Sequence, residues 1–288
     1  MKMQDRIIQR QNSDEMLRCQ YAARYYFNRG ERILAAVVIL SIINVLFASF
    51  PAIDNTCLQW IVRIVPIVLD MCTVFILLWL KRTVQNAAEL RNYFDETVLS
   101  IDAHSFSYDK RTLRTLIDRA IRKSEKEAHA QIINNTHANP PGVRDWYGFA
   151  KEYSDEEAVF ECQRQNQWWN TKMLHRRLAI TACFAILLAV AIALCLYSKT
   201  NIFNAAICIF GAFVAFLDRI IVNGKYILLS VKISHFCEIM DNDRNSQQIR
   251  QLQELIASRR RIPVLEMNAI HKREAATLSD QYKKIAKE

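Results

Sequence analysis

Glycine and proline are scarce in this chain, five each in 288 residues. Strand-like alternation of apolar and polar residues is rare, so a β-rich or α/β fold is excluded and helices are expected. The motifs that carry common chemistry are also missing. The chain has no Walker loop, dinucleotide fingerprint, G-x-S-x-G or H-E-x-x-H. Eight cysteines are present without a C-x-x-C, which argues against a zinc pattern and a disulfide framework. The six histidines, His104, His129, His137, His175, His235 and His271, stand alone. Asp241-Asn242-Asp243-Arg244-Asn245 resembles the start of an EF-hand loop. It fails at the sixth position, Ser246 instead of Gly, and at the twelfth, Leu252 instead of Glu. No catalytic residue, metal site or resident cofactor is therefore expected, and the protein is not expected to be an enzyme.

What the chain does have is hydrophobicity in blocks. Four apolar stretches, Ile33–Phe50, Leu58–Leu80, Leu178–Tyr197 and Ile202–Val222, are grouped as two pairs. Each is close to the roughly 20 residues a helix needs to cross a bilayer. The short connections within each pair predict two transmembrane hairpins. The expected fold class is all-α: an integral membrane protein with four transmembrane helices and a helical cytoplasmic domain. Its expected parts are an N-terminal helix over 1–32, a first hairpin over 33–80, a helical insert over 81–177, a second hairpin over 178–222 and C-terminal helices over 223–288.

The formal net charge of +9 fits this layout. Lys2, Arg6, Arg10, Arg18, Arg24, Arg29 and Arg32 precede the first stretch, Lys81 and Arg82 follow the second, and Lys172, Arg176 and Arg177 precede the third. The connection Pro51–Cys57 has no basic residue and Ser198–Asn201 only Lys199. The positive-inside rule then puts both termini and the insert in the cytoplasm. A removable signal peptide is not expected, because the first stretch follows a long polar segment without a cleavage site.

Local signals place the remaining helices. Asp5–Gly30 reads as an amphipathic helix leading into the first span, and Arg82–Ser100 as a continuation of the second. Leu113, Leu116, Ile117, Ala120 and Ile121 make a helix of Tyr108 to about Asn135. The Asn-Asn, Asn-Pro and Pro-Gly dipeptides of Asn134–Trp146 mark a loop, and Ser154 followed by Asp155, Glu156 and Glu157 starts the next helix. Asn223–Gly224 permits a bend before a helix at Tyr226–Met240. Gln247–Arg261 is a further helix, and Pro263 interrupts before Leu265–Lys287.

Within the expected spans, Arg63 and Asp70 are seven apart around Pro66 and share a face, so they could pair with each other or with a neighbouring helix. Ionisable groups in a span suggest a pore, a relay or a buried pair, although Arg63 could equally snorkel to the interface. Asp218 and Arg219 mark the cytoplasmic end of the fourth span. In the insert, Arg144-Asp145-Trp146-Tyr147 and Cys162-Gln163-Arg164-Gln165-Asn166, followed by Trp168-Trp169-Asn170, gather three of the five tryptophans. Arg offers a planar fork for phosphate, Trp and Tyr offer faces for a base, and Gln and Asn can read base edges. The same residues could instead hold a loop to a helix or sit near a bilayer.

These segments, with Arg10-Gln11-Asn12 and Gln20-Tyr21-Ala22-Ala23-Arg24 before the first hairpin, resemble the SMODS-associating four-transmembrane effector family over nearly the whole chain. Asn170 stands where that resemblance leads one to expect an acidic residue. The resemblance implies bacterial anti-phage defence at the inner membrane. A nucleotidyltransferase makes a cyclic oligonucleotide after infection, and the effector senses that messenger and damages the membrane. It implies Arg144, Trp146, Tyr147, Arg164 and Asn166 as sensing residues. Four spans in one subunit enclose little space, so a pore would need several copies and a homo-oligomer is expected; neither DNA nor RNA is expected as partner. Two other readings stay open: a constitutive channel or small-solute transporter, and a membrane-anchored scaffold that recruits a partner protein.

Overall fold

A computed structural model describes residues 1–48, 56–136, 138, 140–197, 202–242, 244–264 and 281–282. The connections within both expected hairpins, and most of Leu265–Lys287, lie outside the described residues. Eight helices are described: α1 (Met3–Gln11), α2 (Asp14–Ala48), α3 (Thr56–Leu99), α4 (Lys110–Lys123), α5 (Glu125–Ile133), α6 (Asp155–Tyr197), α7 (Ile202–Asn242) and α8 (Ser246–Arg260). No strand occurs among the described residues; one isolated bridge joins Asn135 and Arg144.

Four of these helices are long, with 35, 44, 43 and 41 residues in α2, α3, α6 and α7. Each carries one apolar stretch and continues unbroken into polar sequence. Among the described residues one helix, within α3 at Ile64–Leu99, is long and apolar enough to cross a membrane, with mean hydropathy 2.1. α2 packs along α3, and α7 packs against both and against α6.

The main core lies in the polar-flanked half. Ile7, Met16, Leu90, Phe94, Leu113, Phe160, Ile233, Leu252 and Ile256 cluster there with almost no exposure. Each large apolar side chain buried this way contributes about 1.5–3 kcal/mol. The members sit on α1 to α4 and α6 to α8, so the domain closes only when distant parts of the chain meet.

Helix ends follow local chemistry. Asp109 caps α4 by accepting from the Thr112 N–H at 2.6 Å, and Asn245 and Gln248 form a reciprocal capping box at the start of α8. The Ser154 N–H donates to Glu157 at 3.0 Å, at the expected start of α6. Three expectations are corrected. The N-terminal helix is interrupted between Gln11 and Asp14, and its second part runs straight on as α2. The helix expected from Tyr108 to Asn135 breaks at Ser124, whose φ of −152° is not helical. The bend expected at Asn223–Gly224 is absent: α7 passes through it, and Asn223 donates to the Arg219 carbonyl one turn back at 2.7 Å. A glycine inside a helix costs only about 1 kcal/mol, which the packing of a long helix overrides.

In the apolar half, Asp70 is buried and accepts from Asn44 of α2 and from the Gly211 backbone of α7. A Cβ on Gly211 would collide with the Asp70 carboxylate, so glycine is required for this approach of α3 and α7. Asp70 thus joins three helices. The side chain of Arg63, its expected partner, lies outside the described residues.

Candidate ligand-binding cleft

The loop after α5 is pinned at its centre. Gly142 donates to the Asn135 carbonyl at 2.7 Å and Val143 to the Gln131 carbonyl at 2.9 Å. A Cβ at Gly142 would run into the Asn134 backbone, so the Pro-Pro-Gly turn needs its glycine. Asp145 has φ of 55°, a conformation Asp adopts more readily than most residues. It is held there by Asn12, which donates to its carboxylate at 2.8 Å and accepts from its N–H at 3.1 Å. The break between α1 and α2 therefore anchors the loop that carries Trp146 and Tyr147.

Behind this loop lies a cleft of about 170 Å³. Its walls come from α2 (Gln20, Arg24), α3 (Arg91), the loop (Trp146), α6 (Asn166, Trp169), α7 (Tyr226), α8 (Arg259, Arg260) and the segment after it (Ile262, Val264). Four arginines line it, and among its described lining residues there is no Asp or Glu. The Arg91 guanidinium lies 3.8 Å from the Trp146 ring centroid and donates to the Gln20 amide oxygen. Arg24 is held by the Pro141 and Gly142 carbonyls, both at 3.0 Å, and by Gln131 at 3.1 Å. Arg259 donates to Gln167 and lies over Tyr226. Arg260 pairs with the fully buried Asp95 at 2.7 Å.

Two buried polar atoms on lining residues, Nε2 of Gln20 and Oε1 of Gln165, have no hydrogen-bond partner among the described residues. Leaving such an atom unpaired costs about 1–3 kcal/mol, a cost a ligand can offset. Cation, aromatic and amide groups thus converge on one concavity, the combination suited to a ligand with phosphates and flat heterocycles.

The family described as SMODS-associating 4TM effector domain matches residues 5–288. The chain belongs to this family. No curated protein and no solved structure matches it. Membership makes the chain a membrane effector of nucleotide-signalling defence, linked to a nucleotidyltransferase.

In this 4TM effector the five sequence-derived candidates do not converge. Trp146 and Asn166 line the cleft. Tyr147 lies beneath it, 2% exposed. Its phenol donates to Asp95 at 2.7 Å and accepts from Asn166 at 2.8 Å. Burial, with Asp95 adding to it, holds that phenol's pKa well above the usual value. Tyr147 therefore stays neutral and serves as a floor. Arg144 and Arg164 lie outside the lining. Arg144 is exposed and donates to the Ile132 carbonyl at 3.0 Å. Arg164 pairs with Glu161 at 2.7 Å and Asp241 at 3.5 Å. Asn170, at the position of the expected acid, accepts from Tyr226 and so sets one wall.

Gln20, Arg91, Tyr226, Arg259 and Arg260 line the cleft without having been singled out as site candidates. Gln20 and Arg24 carried a signal, one helical turn apart in a stretch already tied to the family. Arg259-Arg260-Arg261 formed a basic run at a helix end. Arg91 had none, since it read as part of the second span's continuation. Among the described residues no group of His, Cys, Asp and Glu could hold a metal ion.

Proposed function

We propose that this cleft senses a cyclic oligonucleotide in the cytoplasm and that the four long helices respond by permeabilising the bacterial inner membrane. The observation that carries the reading is the lining: four arginines, Trp146, Trp169, Tyr226 and several amides, with no carboxylate among them. A cleft of about 170 Å³ is smaller than the roughly 300–1,000 Å³ that engulfs a whole ligand. One nucleotide enters, stacked near Trp146, while the rest of the ring stays at the mouth against Arg24 and Arg259. In this reading four apolar stretches span the membrane, both termini are cytoplasmic, and several copies assemble around a conducting path.

The link between cleft and membrane runs through the segment after α8. Ile262 and Val264 line the cleft. Pro263 between them accepts from Arg219 of α7 at 2.9 Å. Arg219 also holds Asp218, which pairs with Lys81 of α3 at 2.9 Å. A ligand that draws this strap inward pulls on α7 and α3 where their apolar stretches end. The ligand must bind the open or assembled state more tightly than the resting one to shift the balance.

Leakage of a dye from vesicles containing the full chain, with and without a panel of cyclic di- and trinucleotides, tests this. The expected result is leakage only with a matching nucleotide. Leakage that ignores all of them would instead support a constitutive channel, and a folded protein that neither binds any of them nor leaks would overturn the sensor reading.

A further inference from the structure

A second cavity, of about 150 Å³, opens on a neighbouring face of α2. We propose that it binds the phosphate headgroup of an anionic phospholipid. The inference rests on the membrane reading of α2 and α3, not on the identity of the messenger.

The cavity is polar and built from one face of α2, with Tyr25, Asn28, Arg29 and Arg32, against Glu127 and Gln131 of α5. Arg32 immediately precedes Ile33, where the first apolar stretch begins. Arg29 lies one turn earlier, its guanidinium 5.0 Å from the Trp79 ring centroid. Trp79 sits at the end of the second apolar stretch, half-exposed. A half-exposed Trp beside arginines at the end of an apolar helix is the composition of a membrane–water interface, and it sets the cavity at headgroup depth.

The walls suit a phosphate. Two guanidinium groups offer forked donors. Among the described residues neither Arg29 nor Arg32 forms an ion pair with a carboxylate. The one acid in the lining, Glu127, accepts from Gln131 at 2.9 Å, which directs one of its oxygens to its own helix. Basic pockets beside spanning helices on the cytoplasmic side are suited to anionic lipid heads. On α3, within the turn before Trp79, Phe75 and Leu78 are exposed and offer an apolar surface for acyl chains. A free phosphate has no use for that surface, and this favours the lipid.

The two cavities share a wall. Asn28 lines both. Gln131 of the second cavity accepts from Arg24 of the first at 3.1 Å. A bound headgroup would therefore further steady Arg24 and the loop that carries Trp146.

The test uses the full chain without nucleotide, so its outcome is separate from that of the sensor reading. Native mass spectrometry would count phosphatidylglycerol, cardiolipin and phosphatidylcholine retained after detergent exchange. The expected result is a preference of roughly ten-fold for the anionic lipids. Arg29→Gln with Arg32→Gln should abolish it, and Arg29→Lys with Arg32→Lys should restore part. If the double Gln variant fails to fold, Arg32→Gln alone carries the test, because Arg32 is exposed. Equal retention of all lipids by the wild type, or a preference that survives the Gln changes, would overturn the proposal. So would a site that binds added inorganic phosphate while showing no lipid preference.

Discussion

The two halves of α3 are folded against different surroundings. From Ile64 to Leu78 one face of the helix is apolar and outward: Ile64, Ile67, Val68, Met71, Phe75 and Leu78 are all exposed. From Val84 to Val98 the pattern inverts: Val84, Ala87, Leu90, Phe94 and Val98 are fully buried. Leaving the first set in water would forfeit about 1.5–3 kcal/mol for each side chain, so hydrocarbon is the environment that explains it. Polar groups divide the same way. Asp70 and Asn44 pair in the apolar half, whereas Glu89, Asn92 and Asp95 are buried in the other half with Arg260, Arg261 and Ser105 as partners. One continuous helix thus joins an apolar part, where polar recognition is costly, to a polar-flanked part whose core is built around it.

The largest expected effect breaks the polar-flanked half. Asp95 is fully buried and takes a hydrogen bond from Tyr147 and an ion pair from Arg260. Asp95→Ala should cost about 3–5 kcal/mol, because it strands Arg260 next to a buried phenol. A thermal melt of the purified protein checks this. An unchanged melting temperature would mean that the network does not hold the cleft floor.

The matching change in the membrane half is Gly211→Val, which forces α7 away from Asp70. A cost of about 1–3 kcal/mol is expected from overpacking. Nucleotide binding should survive, since the cleft shares no residue with this contact. Loss of binding would show that the halves are less separable than α3 suggests.

A third change sharpens the division within the polar-flanked half. Trp146→Ala removes a stacking face and should weaken nucleotide binding by about 1–3 kcal/mol. Trp146 also packs against the main core under Arg91, so the melt should fall too, and binding is compared at a temperature where the variant stays folded. Arg219→Gln addresses the join between the halves. It should leave affinity nearly unchanged while reducing nucleotide-dependent leakage, because Pro263 loses its donor on α7. Intact leakage in that variant would remove the strap from the mechanism.

The helical class, the break at Asn134–Trp146 and the start of α6 after Ser154 were legible in the sequence, because each rests on neighbouring residues. Periodicity and capping are local signals. The break at Ser124 was not legible, since no Gly or Pro marks it, and Asn223–Gly224 gave a turn signal that the packing of α7 overrode. The cleft was half legible. Trp146 and Asn166 stood in the dense segments, but their neighbours Gln20, Arg91 and Arg259 lie on α2, α3 and α8. No local pattern connects positions so far apart. The arginines chosen for their company, Arg144 and Arg164, are instead occupied by a helix end and by nearby carboxylates.

Arg144 gives the smallest expected effect and the finest test of that distinction. Its side chain is exposed and donates to the Ile132 carbonyl, near the end of α5, where a cation also complements the helix dipole by about 0.3–1 kcal/mol. Its backbone does more than its side chain: the N–H donates to Asn134 at 3.2 Å and the carbonyl accepts from Thr136 at 3.1 Å. Arg144→Ala keeps those bonds. It should therefore lower stability by under about 1 kcal/mol and leave nucleotide affinity as it was, measured beside Trp146→Ala in the same titration. A loss as large as that of Trp146→Ala would place Arg144 on the ligand and extend the site from the cleft to the outer face of the loop.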